Sequence, residues 1–306
     1  MYHSIKGDCI MKRRLEISEL IFKIISYTLL TIFALACLYP FLYTISAAIS
    51  GRSAVDYNEI VLFPKDIQFD AFSTMFKDNV FWNAYTNTLF LTFYGTIWEV
   101  GLSILGAYAL SKKRLLFRRG FNFFLVFTMW FSAGLVPQYL NYIATKRIFN
   151  SVGINDDKWL VVIAMGMAAM NIILLRNSFE GVPSEIEEAA IVDGATEMQV
   201  LWRVYLPMSK SIIATVSLFF AISRWNGYFW ARQMISNSSE HPLMVYIRLQ
   251  LEKYQDPERM AGWDEVYSSD SMIYSLIICS IVPILIIYPF IQKYFAKGVN
   301  VGGVKE

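Results

Sequence analysis

Histidine and cysteine, the side chains most often used to bind transition metals, are scarce in this chain. Its 306 residues include two histidines, His3 and His241, and three cysteines, Cys9, Cys37 and Cys279. Neither histidine lies near a second plausible ligand in the sequence, so we expect no zinc or other catalytic metal site. The cysteines are too few and too widely spaced to form a disulfide framework.

Charge is also sparse. Charged residues make up 17% of the chain, and the formal net charge is only +2. No block of lysine and arginine with interleaved aromatic residues is present, so we expect no nucleic acid partner. The sequence contains no Gly-x-x-x-x-Gly-Lys-Ser/Thr phosphate loop. We therefore expect the chain to bind no cofactor of its own and not to hydrolyse ATP.

Apolar residues are abundant instead. They account for 56% of the chain, and the mean hydropathy is +0.41, which is unusual for a soluble protein of this length. Six stretches approach or exceed the roughly 20 residues that an α-helix needs to cross a bilayer. They are 21–45, 88–110, 121–140, 159–175, 212–230 and 272–291. The sequence thus predicts an all-α membrane protein with six transmembrane helices. The fifth is the weakest, because polar residues interrupt it from Ser223 onwards.

The N-terminal segment, residues 1–20, is expected to precede a membrane domain that covers 21–306. Lys12, Arg13 and Arg14 stand before the first apolar stretch, and no small-residue cleavage site follows that stretch. These features predict a retained helix rather than a signal peptide. Either Met1 or Met11 fits as the initiating residue.

The distribution of lysine and arginine predicts the orientation. Residues 111–120, here called the basic hairpin, hold five basic residues in ten: Lys112, Lys113, Arg114, Arg118 and Arg119. Short loops rich in lysine and arginine remain in the cytoplasm. With six spans, this places both termini in the cytoplasm, together with the polar segment 177–210, here called the 177–210 loop.

The 177–210 loop has the pattern of two short helices. Ser184 followed by Glu187 is typical of a capping box and predicts a helix over 185–193. Gly194 can adopt the left-handed backbone conformation that ends such a helix. A second capping box begins at Thr196. The second helix is expected to end before Pro207, which cannot continue the hydrogen-bond ladder.

Acidic residues dominate the surface of this loop. They are Glu185, Glu187, Glu188, Asp193 and Glu197. One interpretation is an amphipathic hairpin that lies on the inner leaflet, but anionic lipid would repel this charge. The other is a helix that inserts into a groove of a partner protein, with Glu188 available to a basic group. The acidic character favours the protein partner.

One spaced motif in the loop resembles a known family. It consists of Glu188, Ala189, Ala190, Gly194, Val204, Leu206 and Pro207. The motif resembles the EAA loop of the membrane subunits of binding-protein-dependent ABC importers. Further matching stretches are Gly134-Leu135-Val136-Pro137, Leu175-Arg176-Asn177-Ser178-Phe179, Trp225-Asn226 and the segment 292–298. The chain is most similar to carbohydrate permeases of the MalG-like group, and within it to the LplC/YtcP branch.

The resemblance implies a MetI-like ABC importer permease fold in the bacterial cell membrane. It implies a second homologous permease, a dimer of ABC ATPases that binds ATP and magnesium, and an extracytoplasmic solute-binding lipoprotein. It also implies that the 177–210 loop is the coupling helix. The residues that it assigns to ATPase coupling are Glu187, Glu188, Ala189, Ala190, Asp193, Gly194, Leu206 and Pro207. Within this set, Glu188 supplies an ion pair, the alanines allow a close fit, and Gly194 permits the tight turn.

The cargo implied by the resemblance is a carbohydrate, with oligosaccharides first. A small sugar, a polyol or a glycerophosphodiester carried by the same machinery is the alternative. A membrane enzyme or a secondary carrier is a third possibility, but the sequence shows one intramembrane acid and no internal repeat, where such proteins need a catalytic constellation or inverted repeats.

Five residues are candidates for the transport path. Glu99 lies within the second span, where a lipid-facing charge costs about 2.5–3.5 kcal/mol, so it faces the interior. It is either an acceptor for sugar hydroxyls or a protonated or paired structural carboxylate. Arg224, Trp225 and Asn226 supply a cation, an aromatic ring and an amide, which bind sugars by stacking and hydrogen bonding. Arg224 would suit the carboxylate of a uronate. The alternative is that the aromatic residues here form only an interfacial belt. Asn171 either packs helices or lines the path.

Overall fold

The structure is a computed structural model that describes residues 17–131, 133–256 and 265–298, and the regular structure in these ranges is helical. The N-terminal segment up to residue 16, with both candidate start sites, lies outside these ranges. We number the helices of the described residues in chain order. They are α1 Ile17–Ala48, α2 Arg52–Asp56, α3 Asp70–Lys77, α4 Asn79–Ser111, α5 Arg118–Trp130, α6 Leu135–Ser151, α7 Asp157–Ala164, α8 Ala169–Glu180, α9 Ser184–Val192, α10 Glu197–Met208, α11 Lys210–Trp225, α12 Phe229–Met234, α13 Leu243–Tyr254 and α14 Ser269–Gly298.

Within the described ranges, three helices are long and apolar enough to cross a membrane alone, namely α1, α4 and α14. Three bent pairs pass the same test together. They are α5 with α6, bent by 114°, α7 with α8, bent by 54°, and α10 with α11, bent by 87°. Counting each pair as one span gives up to six, the number that the sequence predicts.

The predicted third, fourth and fifth spans are not continuous helices, and here the sequence-based boundaries were wrong. The third crosses the break before Gly134, whose φ is +83°, and the fourth crosses the break that contains Gly166, whose φ is +57°. Left-handed backbone of this kind cannot continue a right-handed helix, and glycine adopts it at low cost. The fifth was expected to reach residue 230, but α11 ends at Trp225. Hydropathy averages over such breaks, which is why it did not detect them.

Helix α4 lies at the centre of the bundle. Its contact with α11 is the most extensive between two helices, and its contact with α8 is the next. Every third or fourth residue of α4 is buried, from Phe81 through Glu99 to Leu110. This spacing places one continuous face of the helix in the core. α4 therefore links the two ends of the protein.

Helix α1 is the most peripheral of the long helices. It packs chiefly against α14, through Tyr43 and Tyr274, whose rings meet edge to face at 5.8 Å. Residues Ala47 and Ala48, at its end, are buried, whereas most of its large apolar side chains are exposed. A helix with this exposed surface is suited to lipid or to a second membrane subunit.

The 177–210 loop forms two helices joined by a turn, as the sequence predicts, but with different boundaries. The first helix is α9, which begins at Ser184 and ends at Val192, with Pro183 rather than Ser184 at the N-cap. The predicted first capping box is therefore wrong, because the side chain of Glu187 forms an ion pair elsewhere. Gly194 has a φ of +83° and closes the helix as expected.

The second capping box is confirmed. The Thr196 amide donates to Gln199 Oε1 at 2.8 Å, and the Gln199 amide donates to Thr196 Oγ1 at 3.4 Å. The expectation that this helix ends before Pro207 is wrong, since α10 continues to Met208. A π-helical turn covers Leu201–Tyr205. Pro207 has no backbone N–H to donate, and in a regular α-helix its ring would clash with the carbonyl four residues earlier. The wider spacing of the π-helical turn directly before it relieves this clash.

The end of the bundle opposite the 177–210 loop carries a layer of short helices. Asn87 Nδ2 donates to the Ser239 carbonyl at 2.9 Å, and the Leu243 amide donates to Thr88 Oγ1 at 2.7 Å. Tyr246 donates to Asp78 at 2.8 Å. These bonds fix α13 on the first turns of α4, so the long connections at this end form a folded cap.

We expect Thr88→Val to destabilise this cap. Valine keeps the shape of threonine but removes the acceptor of the buried Leu243 amide, and an unsatisfied buried donor costs about 1–3 kcal/mol. Thermal unfolding of the detergent-purified protein should show a lower Tm for Thr88→Val. Thr86→Val, at an exposed site on the same helix, is the control. Equal Tm values for the two variants would contradict this account.

Candidate coupling site and transport path

The 177–210 loop is tied to the basic hairpin by three ion pairs. Lys112 Nζ lies 2.6 Å from Glu187 Oε1. Arg114 pairs with Glu197, and Arg118 pairs with Glu180. Each basic residue follows α4 in the sequence, and each acid lies on α8, α9 or α10. The loop is therefore held against the end of α4 by charge as well as by packing.

Lys112 is the buried centre of this contact, with 9% of its surface exposed. Its ammonium lies 4.2 Å from the ring centroids of both Tyr108 and Tyr205. It also donates to the Tyr205 hydroxyl at 3.1 Å, and that hydroxyl donates to Glu187 Oε2 at 2.5 Å. Two aromatic faces and one carboxylate thus replace the water around this cation.

The pKa of Glu187 reflects the same contacts. Burial of the carboxyl acts to raise its pKa, but the hydrogen bonds from Lys112 and Tyr205 outweigh burial and hold the pKa below its ordinary value of 4.5. Because the pKa is lowered in the folded state, the stabilisation by the ionised carboxylate is present above pH 4.5 and is lost as the pH falls through the lowered pKa. The ion pair is therefore intact at neutral pH.

Apolar packing lies directly beneath the ion pair. The rings of Phe179 and Tyr205 meet edge to face at 5.6 Å, and those of Tyr108 and Tyr205 at 5.1 Å. Val200 and Leu201 are buried in the same cluster. The underside of the loop is thus continuous with the core between α4, α8 and α11.

The residues predicted to couple to an ATPase divide between two faces of the loop. Glu188, Ala189, Asp193, Gly194 and Pro207 are exposed, whereas Glu187, Ala190 and Leu206 are partly buried. Glu187 points inward to Lys112, and Ala190 and Leu206 pack on the core.

The outward face presents both acidic and apolar groups. Glu188 forms no ion pair with any residue that the structure describes. Ile191 and Val192 expose 43% and 86% of their surfaces. Glu188 and Ile191 also line a cleft of about 650 Å³, together with Lys113 and Arg114 of the basic hairpin. The outward face is therefore available to a partner.

Sequence reasoning missed Lys112, Tyr108 and Tyr205 as parts of this site. In the sequence, the basic hairpin indicates only the topology, and these three residues lie between 18 and 79 positions away from Glu187. A carboxylate followed eighteen residues later by a tyrosine is no recognisable motif. The charge balance between the hairpin and the loop was the one available signal.

The predicted path residues Glu99 and Arg224 are brought together. Arg224 Nη2 lies 3.0 Å from Glu99 Oε1, and the exposed fractions of the two side chains are 3% and 8%. Glu99 is thus a paired carboxylate between α4 and α11, one of the two interpretations that the sequence left open. The same guanidinium donates to the carbonyls of Val161 and Val162, each at 3.0 Å.

The other three path candidates do not join this pair. Trp225 is buried and donates from Nε1 to the Ser280 carbonyl at 3.1 Å. Asn226 is exposed, and its amide donates to the Ile222 carbonyl at 3.0 Å. Asn171 is buried on α8. Whether these residues line a transport path stays a prediction. In the described part of the chain, no three histidine, cysteine or acidic side chains lie close enough to hold a metal ion.

We expect Gly194→Ala to destabilise the turn between α9 and α10. A Cβ at Gly194 would meet no atom within 4 Å, so the whole effect comes from the left-handed backbone, which costs an L-residue about 1–2 kcal/mol. Thermal unfolding should report a lower Tm. Gly120→Ala, in helical backbone and equally free of contacts, should leave the Tm unchanged or raise it. A neutral Gly194→Ala would show that the turn rearranges freely.

We expect Lys112→Met to release the 177–210 loop. Removing one partner of a largely buried ion pair costs about 3 kcal/mol, which corresponds to roughly a hundredfold faster amide hydrogen exchange if the loop opens locally. Hydrogen exchange with mass spectrometry should locate the increase in α9 and α10. Lys113→Met removes an exposed lysine next in the sequence and should change little. Equal exchange in the two variants would rule out the anchoring role.

Comparison with known proteins gives one consistent result. The family model described as "Binding-protein-dependent transport system inner membrane component" matches residues 10–301. The polygalacturonan/rhamnogalacturonan transport system permease protein YtcP of Bacillus subtilis (strain 168) is 33% identical over 298 residues, covering 96% of this chain and all of the relative. Protein LplC of the same organism is 33% identical over 269 residues, covering 87% of this chain and 88% of LplC.

A solved structure is similar over nearly the same length. A chain from a bacterial ABC transporter involved in the import of the acidic polysaccharide alginate is 41% identical, with a TM-score of 0.82, over 92% of this chain and 98% of that chain. The matches span the bundle, the bent pairs and the 177–210 loop. The chain therefore belongs to the inner membrane components of binding-protein-dependent transport systems, as a non-catalytic permease subunit of an ABC importer.

Proposed function

We propose that this chain is the membrane-spanning subunit of an ATP-driven oligosaccharide importer, and that the outward face of its 177–210 loop docks in a groove of an ABC ATPase. The observation that carries the coupling role is the division of the loop into two faces. Its inward face is anchored by Glu187 and Lys112, while Glu188, Ile191 and Val192 remain exposed.

Because the 177–210 loop is anchored to the end of α4, a displacement of the loop also displaces α4. Closure of the ATPase dimer on ATP and magnesium displaces α9, and the ion pair from Glu187 to Lys112 passes the displacement to α4. Because α4 also contacts α7, α8 and α11, the displacement reaches the bent helix pairs. The bundle then switches between two access states as a packed unit.

The partners follow from this arrangement. A second homologous permease completes the pore and covers exposed apolar surface such as that of α1. Two ATPase subunits bind the ATP that this chain does not. An extracytoplasmic solute-binding lipoprotein delivers the cargo to the folded cap at the other end of α4. The basic hairpin and the 177–210 loop lie on the same side of the bundle, and the excess of lysine and arginine there supports a cytoplasmic location.

Uronate-containing oligosaccharides are the cargo class best supported. One relative is named for polygalacturonan and rhamnogalacturonan transport, and the 41% identical structure is a subunit of an alginate importer. Both polymers contain uronic acids. A neutral oligosaccharide, or a smaller cargo such as a polyol or glycerophosphodiester, is the alternative.

Transport by whole cells tests both parts of the proposal. Uptake of labelled trigalacturonate should require this chain, and Glu188→Lys should reduce it at least tenfold while the protein still reaches the membrane. Co-purification of the ATPase should fall in parallel, because the new cation opposes a basic groove. Glu188→Gln, which removes the charge without reversing it, should retain more of both.

The possible failures are distinct. Full uptake and full ATPase recovery with Glu188→Lys would refute docking through this face. Uptake of maltotriose but not of trigalacturonate would refute the cargo class and leave the coupling role in place.

A further inference from the structure

The bend between α7 and α8 leaves helix-end carbonyls inside a candidate membrane span. α7 ends at Ala164, α8 begins at Ala169, and the two helices are inclined by 54°. The last four carbonyls of a helix have no intrahelical donor. In hydrocarbon, water cannot satisfy them, so broken helices persist where other protein groups supply the hydrogen bonds or where the break lines a water-filled cavity.

Arg224 supplies two of these bonds from α11. Its Nη1 donates to Val161, and its Nη2 donates to Val162, each at 3.0 Å. Both carbonyls belong to the last turn of α7. One side chain therefore joins α11 to the broken end of α7.

Glu99 balances the charge that this cap introduces. Its Oε1 lies 3.0 Å from Arg224 Nη2, whereas its Oε2 is buried and finds no hydrogen-bond partner among the described residues. Within the part of the chain that the structure describes, Arg224 is the one group that forms an ion pair with Glu99. Neither residue can be neutralised alone without leaving the other as an isolated buried charge.

Gly95 provides the space for the guanidinium. It lies on α4, one turn before Glu99. A Cβ added at Gly95 would lie 2.7 Å from Arg224 Nε and 3.0 Å from Arg224 Cδ. Only a glycine allows the arginine to pass this close to the backbone of α4.

We propose that Arg224 is a positioning residue that sets the bend between α7 and α8, with Glu99 as its counter-ion and Gly95 as the gap that admits it. Its η nitrogens donate to three acceptors, its Nε is buried against Gly95 with no hydrogen-bond partner among the described residues, and only 3% of its side chain is exposed. The guanidinium therefore does not bind carboxylates of the cargo, which is the role that its position beside Trp225 indicates in the sequence. Arginine is required because its planar fork reaches two carbonyls and a carboxylate at once, which a lysine ammonium does not.

Electron spin resonance distances across the bend test this proposal directly. Nitroxide labels at Lys158 on α7 and Asn177 on α8, in a chain whose three cysteines are replaced by serine, should give a narrow distance distribution. Arg224→Gln and Glu99→Gln should each broaden or shift it. Arg224→Lys should only partly preserve it. Arg248→Gln, at an exposed arginine with an i,i+4 acidic partner, should leave it unchanged.

Gly95→Ala is the second test, because it keeps both charges and only displaces the guanidinium. It should shift the distance distribution even if Arg224→Gln fails to fold. An unchanged distribution in Gly95→Ala and in folded Arg224→Gln would overturn the proposal. The label distances are measured without cargo, so this test of the bend is independent of the proposed cargo class.

Uptake separates positioning from cargo recognition. If Arg224 sets the bend, Arg224→Lys should reduce the uptake of every transported oligosaccharide by a similar factor, acidic or neutral. A selective loss of trigalacturonate, with maltotriose uptake and the label distances unchanged, would instead make Arg224 a cargo-binding residue and overturn the proposal.

Discussion

The ion pair between Lys112 and Glu187 is the contact on which the coupling account depends. It joins Lys112, the residue that caps the end of the central helix α4, to the inward face of the 177–210 loop, and the rings of Tyr108 and Tyr205 flank the ammonium. Buried ion pairs add little net stability, but losing one partner is costly, so they favour one arrangement over its neighbours. Here the favoured arrangement leaves Glu188 and Val192 directed outward. The loop can then bind a partner without folding back on itself.

A second buried pair, Glu99 with Arg224, lies on the same helix. Glu99 lies on α4, and Lys112 directly follows the end of that helix. The thirteen positions between them correspond to about 20 Å along a helix. One pair fixes the loop, and the other fixes the bend in a span. A displacement of α9 that moves α4 as a rigid rod would act on both contacts at once. Under the proposed coupling, the mechanical route runs from the 177–210 loop to the interior of the bundle through these two ion pairs and the packed helices.

The sequence predicted the fold class, the approximate spans, the Gly194 turn and the capping box at Thr196, because each depends on local composition or on neighbours within a few positions. It did not predict the breaks at Gly134 and Gly166, since hydropathy is blind to backbone handedness. It also placed Ser184 at the N-cap, because the pattern could not show that Glu187 is drawn away by Lys112. The helix α10 continues past Pro207 because a π-helical turn precedes this proline, and no sequence rule predicts such a turn. Long-range pairs such as Arg224 with Val161 lie beyond any local pattern.

Cross-linking from the outward face of the loop tests the central claim most directly. A photo-reactive phenylalanine analogue at Val192, which is 86% exposed, should capture the ATPase in the assembled importer. The same analogue at Val152, 70% exposed but at the opposite end of the bundle, should not. Capture from Val192 alone is the predicted result. Failure at Val192 in a complex that still contains the ATPase, or equal capture from Val152, would contradict the account.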